Sequence, residues 1–235
     1  GAQLVVLPEY FPIIGAADTD RVRAREDFGQ GPVQDWLAAT ARRHGIWIFA
    51  GSLPLTADAP DKMRNASLAY NPAGECVARY DKVHLFGFKK GDEAYDEAAF
   101  IEPGNQLVAV DTPFGKVALS ICYDLRFPEL YRALAPVDLI LVPAAFTETT
   151  GRAHWEILLR ARAIDCVGVR TAASGARSGS GAVRHAGRRA RLGRTADPLR
   201  AIRHAALRAA RAKPWRDPSG GSPRVSWSAV VCAWS

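Results

Sequence analysis

The stretch Gly115–Arg132, GKVALSICYDLRFPELYR, is the strongest indication of how this chain folds. Val117 to Ile121 form a short apolar run, which is typical of a buried strand. The run stops at Cys122, and Pro128 is well placed to open a helix soon afterwards. The stretch therefore predicts a buried strand that delivers a cysteine to a sharp turn before a helix.

Two further strips of sequence place a reactive side chain at the end of an apolar strand. Glu9 comes just after the apolar run in LVVLPEY, and Lys82 follows a similar run in VARYDKVHLFGF. Taken singly, Cys122 is usually a small buried hydrophobe, Glu9 an acid at a helix entry, and Lys82 a solvated charge. Together, a thiol, a carboxylate and an amine at three strand ends predict an assembled catalytic site.

Strand and helix patterns alternate along the first 165 residues, which predicts an α/β layered sheet fold. Hydrophobic residues recur at helical spacing from Val33 to His44, and Gly45 is well placed to end that helix. The other predicted elements are strands at 4–7, 46–50 and 138–142, hairpins around the turns 71–74 and 112–115, and helices after Pro128 and around Trp155.

Four strips of the chain, in this order, resemble the nitrilase (carbon–nitrogen hydrolase) superfamily. They are LPEYF at 7–11, YDKVHLFGF at 80–88, ICYDLRFPELYR at 121–132 and VPAAFTETTGRAHWEILLRARAID at 142–165. The amino-acid sequences of these segments are most similar to the amidase branch, which includes omega-amidase and deaminated-glutathione amidase. The resemblance implies a four-layer α-β-β-α sandwich and hydrolysis of a small linear amide to a carboxylate and ammonia.

The resemblance also implies a Glu–Lys–Cys triad of Glu9, Lys82 and Cys122. Glu9 would take the thiol proton, Cys122 would attack the amide carbonyl and carry a thioester, and Lys82 would stabilise the oxyanion. The backbone N–H of Tyr123 would be the second oxyanion donor. No metal and no organic cofactor are required.

Two other residues match positions near the site in the superfamily. Glu97 in EAAFIEPG stands where a second glutamate helps to position the lysine and the substrate, although a surface acid is an alternative. His154 in GRAHWE is expected to pack or hydrogen bond near the site rather than act as a base. We also expect Arg126 and Glu129 to form an ion pair behind the nucleophile.

Composition places the chain among soluble globular proteins, since 48% of its 235 residues are hydrophobic and 23% are charged. No stretch reaches the roughly 18 apolar residues of a membrane span, and no signal peptide is recognisable. The four cysteines at 76, 122, 166 and 232 show no paired spacing, so neither zinc nor a disulfide framework is favoured. We expect a cytoplasmic protein, a homo-oligomer such as a dimer, with a small-molecule amide as substrate.

Domain organisation is expected to change near Asp165. Residues 1–165 read as a carbon–nitrogen hydrolase domain, partial at its N-terminus because Gly1 already lies within a predicted strand. Residues 166–235 are rich in Arg and Ala and carry a net charge of +12, so with +7 overall the first 165 residues carry −5. We expect this tail to supply no sandwich strands, either because the reading frame slipped near residue 165 or because it is a disordered basic tail.

Alternative functions follow from the same features. A Cys–His protease would need His84 or His154 beside Cys122, but neither lies in a recognisable protease strip. An inactive truncated or frameshifted relative is a second alternative. A protein that binds nucleic acid through the Arg-rich tail is a third, although the tail lacks aromatic interleaving and any known motif. We therefore expect no membrane partner and no specific nucleic-acid partner.

Overall fold

The computed structural model describes residues 2–90, 93–166 and 225–233, and these form an α/β fold. The strands are β1 Leu4–Val6, β2 Trp47–Phe49, β3 Leu53–Thr56, β4 Met63–Tyr70, β5 Cys76–Asp81, β6 Gly87–Lys90, β7 Glu93–Asp96, β8 Ala109–Thr112, β9 Gly115–Leu119, β10 Leu139–Thr147 and β11 Val225–Ala233. The helices are α1 Asp18–Arg23, α2 Pro32–His44, α3 Pro128–Leu134 and α4 Glu148–Cys166.

Two mixed sheets hold most of these strands. In the first, β1 pairs parallel with β2, β2 pairs antiparallel with β4, and β4 pairs antiparallel with both β3 and β5. In the second, β8 and β9 form a hairpin, β10 pairs parallel with β9, and β11 pairs antiparallel with β10. Strands β6 and β7 form a separate hairpin.

Side-chain alternation along the strands builds the layers, because successive residues of a strand face opposite sides of a sheet. In β2, Ile48 packs with Leu37 and Ala41 of α2, whereas its neighbour Phe49 packs with the strands of the second sheet. The other face of the second sheet is covered by α3 and by apolar residues of α4, such as Leu158. The arrangement is therefore helix, sheet, sheet, helix, and the expected α-β-β-α order is confirmed.

Individual glycine and proline residues correctly predicted where helices α2 and α3 end and begin. Helix α2 ends at Gly45, which adopts φ +61° and donates its N–H to the carbonyls of Ala41 and Arg42. Pro128 is the first residue of α3, where its missing N–H has no intrahelical partner to lose. Helix α1, strand β3 and the hairpin β6–β7 were not predicted, because each is short and lacks a clear hydrophobic period.

Strand β11 contradicts one expectation. The segment 166–235 was expected to supply no strand, yet Val225–Ala233 pairs with β10 from Thr147 back to Leu139. The nine residues are rich in Val with Trp227 among them, and β-branched and aromatic residues favour strands. The average composition of the long segment concealed this short run. The frame-slip and basic-tail hypotheses otherwise concern residues 167–224 and 234–235, which lie outside the described residues.

Within the described ranges, no helix combines the length and the hydropathy that crossing a membrane requires.

Candidate active site

Cys122 lies at a strained turn between the second sheet and helix α3. The chain is extended at Ile121 and then turns sharply at Cys122, which adopts φ +49° and begins the 3₁₀ turn Cys122–Arg126. A non-glycine residue at positive φ costs on the order of 1–3 kcal/mol and is concentrated at functional sites. The cysteine is only 8% exposed, within the predicted strand–turn–helix arrangement.

Glu9 is buried, at 1% exposure, and both of its carboxylate oxygens are used. Oε1 accepts hydrogen bonds from Asn65 Nδ2 at 3.0 Å and from Lys82 Nζ at 3.2 Å. Oε2 accepts the backbone N–H of Ala145 at 2.7 Å. These three donors come from β4, from the end of β5 and from β10, so the carboxylate is fixed between the two sheets.

Lys82 is completely buried, and its ammonium lies between two carboxylates. Nζ donates to Glu97 at 2.9 and 2.8 Å and to Glu9 at 3.2 Å. Burial alone would lower the pKa of Lys82, but the negative charges of Glu9 and Glu97 outweigh burial and hold this pKa well above its usual range. The lysine therefore stays charged and supplies a fixed cation in a site with little water.

Glu97 joins the site from the loop after β7. Besides its bonds to Lys82, it accepts the backbone N–H of Phe86 at 2.7 Å and the hydroxyl of Tyr10 at 3.4 Å. Burial raises the pKa of Glu97 while Lys82 opposes the rise, and the charge of Glu9 adds to it. Glu97 is thus a second carboxylate in contact with the same lysine.

The surroundings of Cys122 favour the protonated thiol over the thiolate. Burial raises its pKa well above the ordinary value, the charge of Glu9 raises it further, and Lys82 partly opposes both. The Glu9 carboxylate is therefore near enough to act on the thiol. A protonated thiol beside a carboxylate is the arrangement that general-base activation requires, and it differs from a preformed thiolate.

Tyr123 and His154 stand apart from this network. The Tyr123 ring packs edge-on against Phe86 and Phe127, with centroids 5.3 and 5.4 Å apart, while its backbone follows the nucleophile. His154 is exposed, and Nδ1 lies 3.3 Å from an Arg126 nitrogen. None of the contacts described for His154 reaches Glu9, Lys82 or Cys122.

The expected Arg126–Glu129 ion pair is not formed. The Arg126 guanidinium lies over the rings of Tyr123 and Phe146, at 5.6 Å from each centroid. Glu129 instead contacts Arg132 at 3.4 Å on the surface of α3. The reason is that Arg126 ends a 3₁₀ turn, and the extended residue Phe127 separates it from the helix that carries Glu129.

A Cys–His arrangement also does not form among the described residues. The His84 ring stacks on Phe127 with centroids 3.7 Å apart, and its Nδ1 lies 2.8 Å from Asp124 Oδ1. The thiol of Cys122 is engaged by Glu9 instead. The thiol's partner is therefore a carboxylate rather than an imidazole.

Sequence reasoning missed two buried residues at the site. Asn65 in β4 donates to Glu9, and nothing in its strip distinguishes it from an ordinary strand residue. Asp124 is completely buried two residues after the nucleophile, and a charged residue inside an apolar turn was a signal that could have been used. A small pocket opens beside the thiol, lined by Phe86, Cys122, Ala145, Phe146, Thr147 and Thr150.

Known proteins share this combination of sequence and fold. Deaminated glutathione amidase from Yersinia enterocolitica is 45% identical over 170 residues, which cover 70% of this chain and 59% of that protein. Omega-amidase NIT2-B from Xenopus laevis is 36% identical over 168 residues, covering 70% of this chain and 59% of that protein. The chain thus spans about three-fifths of the length of these curated relatives.

Solved structures agree with the sequence relatives. The crystal structure of an amidase from Nesterenkonia sp. matches with a TM-score of 0.57 and 31% identity, over 70% of this chain and 59% of that one. The C. elegans NitFhit protein matches with a TM-score of 0.60 and 37% identity, over 68% of this chain and 40% of that one. The sequence profile described as carbon-nitrogen hydrolase matches residues 1–171. This chain therefore belongs to the carbon-nitrogen hydrolase family.

Proposed function

We propose that this chain carries the catalytic part of an amidase, which hydrolyses a small linear amide through a thioester on Cys122. The observation that carries the proposal is the contact set of Glu9, which accepts from the Lys82 ammonium and the Ala145 N–H while its charge acts on the Cys122 thiol. Three of the proteins named above are described as amidases, and a mutant of the Nesterenkonia enzyme carries acrylamide added to its active-site cysteine.

In the first half of the proposed reaction, Glu9 takes the thiol proton as Sγ attacks the amide carbonyl carbon. The carbonyl oxygen becomes an oxyanion, which the Lys82 ammonium and the backbone N–H of Tyr123 stabilise. The tetrahedral intermediate then collapses, the carbon–nitrogen bond breaks, and Glu9 returns the proton to the leaving ammonia. The acyl group remains on Cys122 as a thioester.

In the second half of the proposed reaction, a water molecule hydrolyses the thioester. Glu9 takes a proton from the water as its oxygen attacks the thioester carbonyl, and Lys82 again stabilises the oxyanion. The carbon–sulfur bond breaks, the proton returns to the thiolate, and the carboxylic acid leaves. Glu97 acts by holding Lys82 charged and in place, as its two contacts at 2.9 and 2.8 Å support.

The proposal includes the setting of the enzyme. We infer a small-molecule substrate and a homo-oligomer in the cytoplasm, with neither a membrane nor a specific nucleic acid as partner. A reducing compartment suits a mechanism that depends on a free thiol.

The pH dependence of alkylation tests the state of the thiol. Below its pKa, the thiolate fraction rises tenfold per pH unit, so iodoacetamide should label Cys122 slowly at neutral pH and faster only above the ordinary thiol range. Because Lys82 lowers the pKa of Cys122, Lys82→Met should raise this pKa and slow labelling at pH 7.5 by about tenfold. The label is quantified by mass spectrometry of the Cys122 peptide in a Cys76→Ala background.

Unchanged labelling at Cys122 in the Lys82 variant would show that the lysine is only a structural charge. Labelling that is already complete at pH 6 would contradict a protonated resting thiol.

The pocket beside Cys122 supports a further feature of the substrate. The hydroxyl oxygens of Thr147 and Thr150 lie 2.8 Å apart, and Thr147 Oγ1 also accepts the backbone N–H of Thr150 at 3.3 Å. The two hydroxyls carry two protons, and the described contacts use one. The other proton is available to the pocket, so we propose that the acyl chain of the substrate carries an oxygen acceptor.

Methoxyacetamide and butyramide test this feature, because they differ by one oxygen in place of a methylene. The kcat/KM for methoxyacetamide divided by that for butyramide should fall by roughly tenfold in a Thr147→Val/Thr150→Val variant, as expected for one lost hydrogen bond. The Thr147→Ser/Thr150→Ser variant keeps both hydroxyls and should retain the ratio. The intrinsic reactivity difference between the amides is the same for every variant and cancels. An unchanged ratio in the valine variant would remove the threonines from substrate recognition.

A further inference from the structure

Asp124 is a completely buried carboxylate between the segment that follows Lys82 and the turn that carries Cys122. We propose that Asp124 is a positioning residue, which holds the nucleophile turn and the lysine segment in the alignment that the reaction needs. This inference rests on the proposed function, and it concerns a residue that touches neither the thiol nor the ammonium in any described contact.

The two oxygens of Asp124 accept from both segments. Oδ2 accepts the backbone N–H of Ile121 at 2.8 Å, directly before the nucleophile. Oδ1 accepts the backbone N–H of His84 at 3.0 Å, two residues after Lys82. One carboxylate thus fixes the main chain next to the nucleophile and the main chain next to the lysine.

Two side chains also contact the carboxylate, in addition to the main-chain donors. The hydroxyl of Tyr80 donates to Oδ2 at 2.7 Å, and Nδ1 of His84 lies 2.8 Å from Oδ1. The His84 ring is in turn stacked on Phe127, just beyond the turn. Asp124 also donates its own backbone N–H to the carbonyl of Ile121 at 3.1 Å, which closes the turn.

The chemistry of this position requires a carboxylate. Each oxygen accepts one main-chain N–H, so an asparagine would turn its NH₂ group toward the N–H of either Ile121 or His84. Two donors would then face each other, and one main-chain N–H would lose its acceptor. A displacement of about 1 Å at reacting groups can reduce the rate on the order of a hundredfold.

Asp124→Asn is the principal test. The competent thiol is counted by iodoacetamide titration, and kcat is expressed per titrated site. We expect kcat per site to fall roughly a hundredfold with KM within about threefold of the parent. We also expect the midpoint of the Cys122 alkylation profile to move to lower pH, because a relaxed turn separates the thiol from Glu9 and admits water.

Tyr80→Phe is the matched control, since it removes a donor to Asp124 but leaves both main-chain contacts. It should retain kcat per site within about fivefold and keep the alkylation profile. The Tyr80→Phe/His84→Phe variant extends this control and does not depend on whether the asparagine variant folds. A hundredfold loss of kcat per site in the double variant would mean that activity depends on the side-chain donors to Asp124 rather than on its main-chain contacts. That result would overturn the inference.

The inference is also overturned if Asp124→Asn loses activity only in proportion to lost thiol titration, with kcat per site unchanged. That result would make Asp124 purely structural. Alkylation does not need turnover, so it separates the two proposals. A parent enzyme that forms no thioester contradicts the proposed function, whereas an unmoved alkylation profile in Asp124→Asn contradicts this inference.

Discussion

Replacing Cys122 with alanine is expected to reduce amide hydrolysis by roughly 10⁴-fold or more, the scale seen when a covalent nucleophile is removed. The remaining groups can still bind and polarise an amide, but no thioester can form. Parent enzyme quenched in acid during turnover should show the acyl mass on the Cys122 peptide, and the variant should show none. The fold should persist, because alanine fills most of the same space at this turn.

Cys76→Ala is the control for that experiment. Cys76 is an exposed cysteine at the start of β5, its thiol donates to the carbonyl of Ala78 rather than to a site residue, and its loss should leave hydrolysis nearly unchanged. Turnover by Cys122→Ala at a few per cent of the parental rate would rule out the thioester mechanism.

Replacing Lys82 with methionine is expected to have the second-largest effect, on both rate and stability. Loss of one oxyanion donor reduces kcat by about a hundred- to a thousandfold. Glu9 and Glu97 would also face each other without a cation, and breaking a buried ion pair costs about 3–5 kcal/mol. Urea unfolding and steady-state kinetics measure the two effects separately.

The loss of stability in Lys82→Met should shrink as the pH falls. Lys82 opposes the raised pKa of Glu97, so without the lysine this folded-state pKa rises further above the unfolded value, and the folded state binds more protons in the window between the two values. Stability in that window increases as pH decreases. Lys116→Met, at an exposed lysine of β9, should show neither the rate effect nor the pH effect. A Lys82 variant as stable as the parent at pH 8 would contradict the buried charge network.

The positions of Glu9, Lys82 and Cys122 could be predicted because each stands where an apolar run stops. Strand ends are recognisable from local pattern alone, and the strips resemble one family in order. Glu97 could be placed only through that resemblance, since its own neighbourhood is an acidic loop. In the structure, hydrogen bonds join Glu9, Lys82 and Glu97, and the charges of these groups act on the Cys122 thiol.

Other features were missed or predicted wrongly. Asn65 reaches Glu9 from the middle of β4, across 56 positions of sequence. The prediction of an Arg126–Glu129 ion pair was wrong because helical spacing does not continue through the extended residue Phe127. Strand β11 was not predicted because the average composition of the long Arg-rich segment concealed this run of nine residues. The Asn65 contact is tertiary, whereas the other two features are local and were hidden by the helical and compositional averages applied to them.

The bond from the Ala145 N–H to Glu9 has a consequence for when the proposed site is completed during folding. It joins residues 136 positions apart and connects the two sheets. Contacts of such long sequence separation carry a large loop-closure entropy and tend to form late. The general base is therefore completed only when the sheets have docked, so catalytic activity should return after the secondary structure during refolding. On the proposed function, a partly folded chain would contain all three reactive side chains and still be inactive.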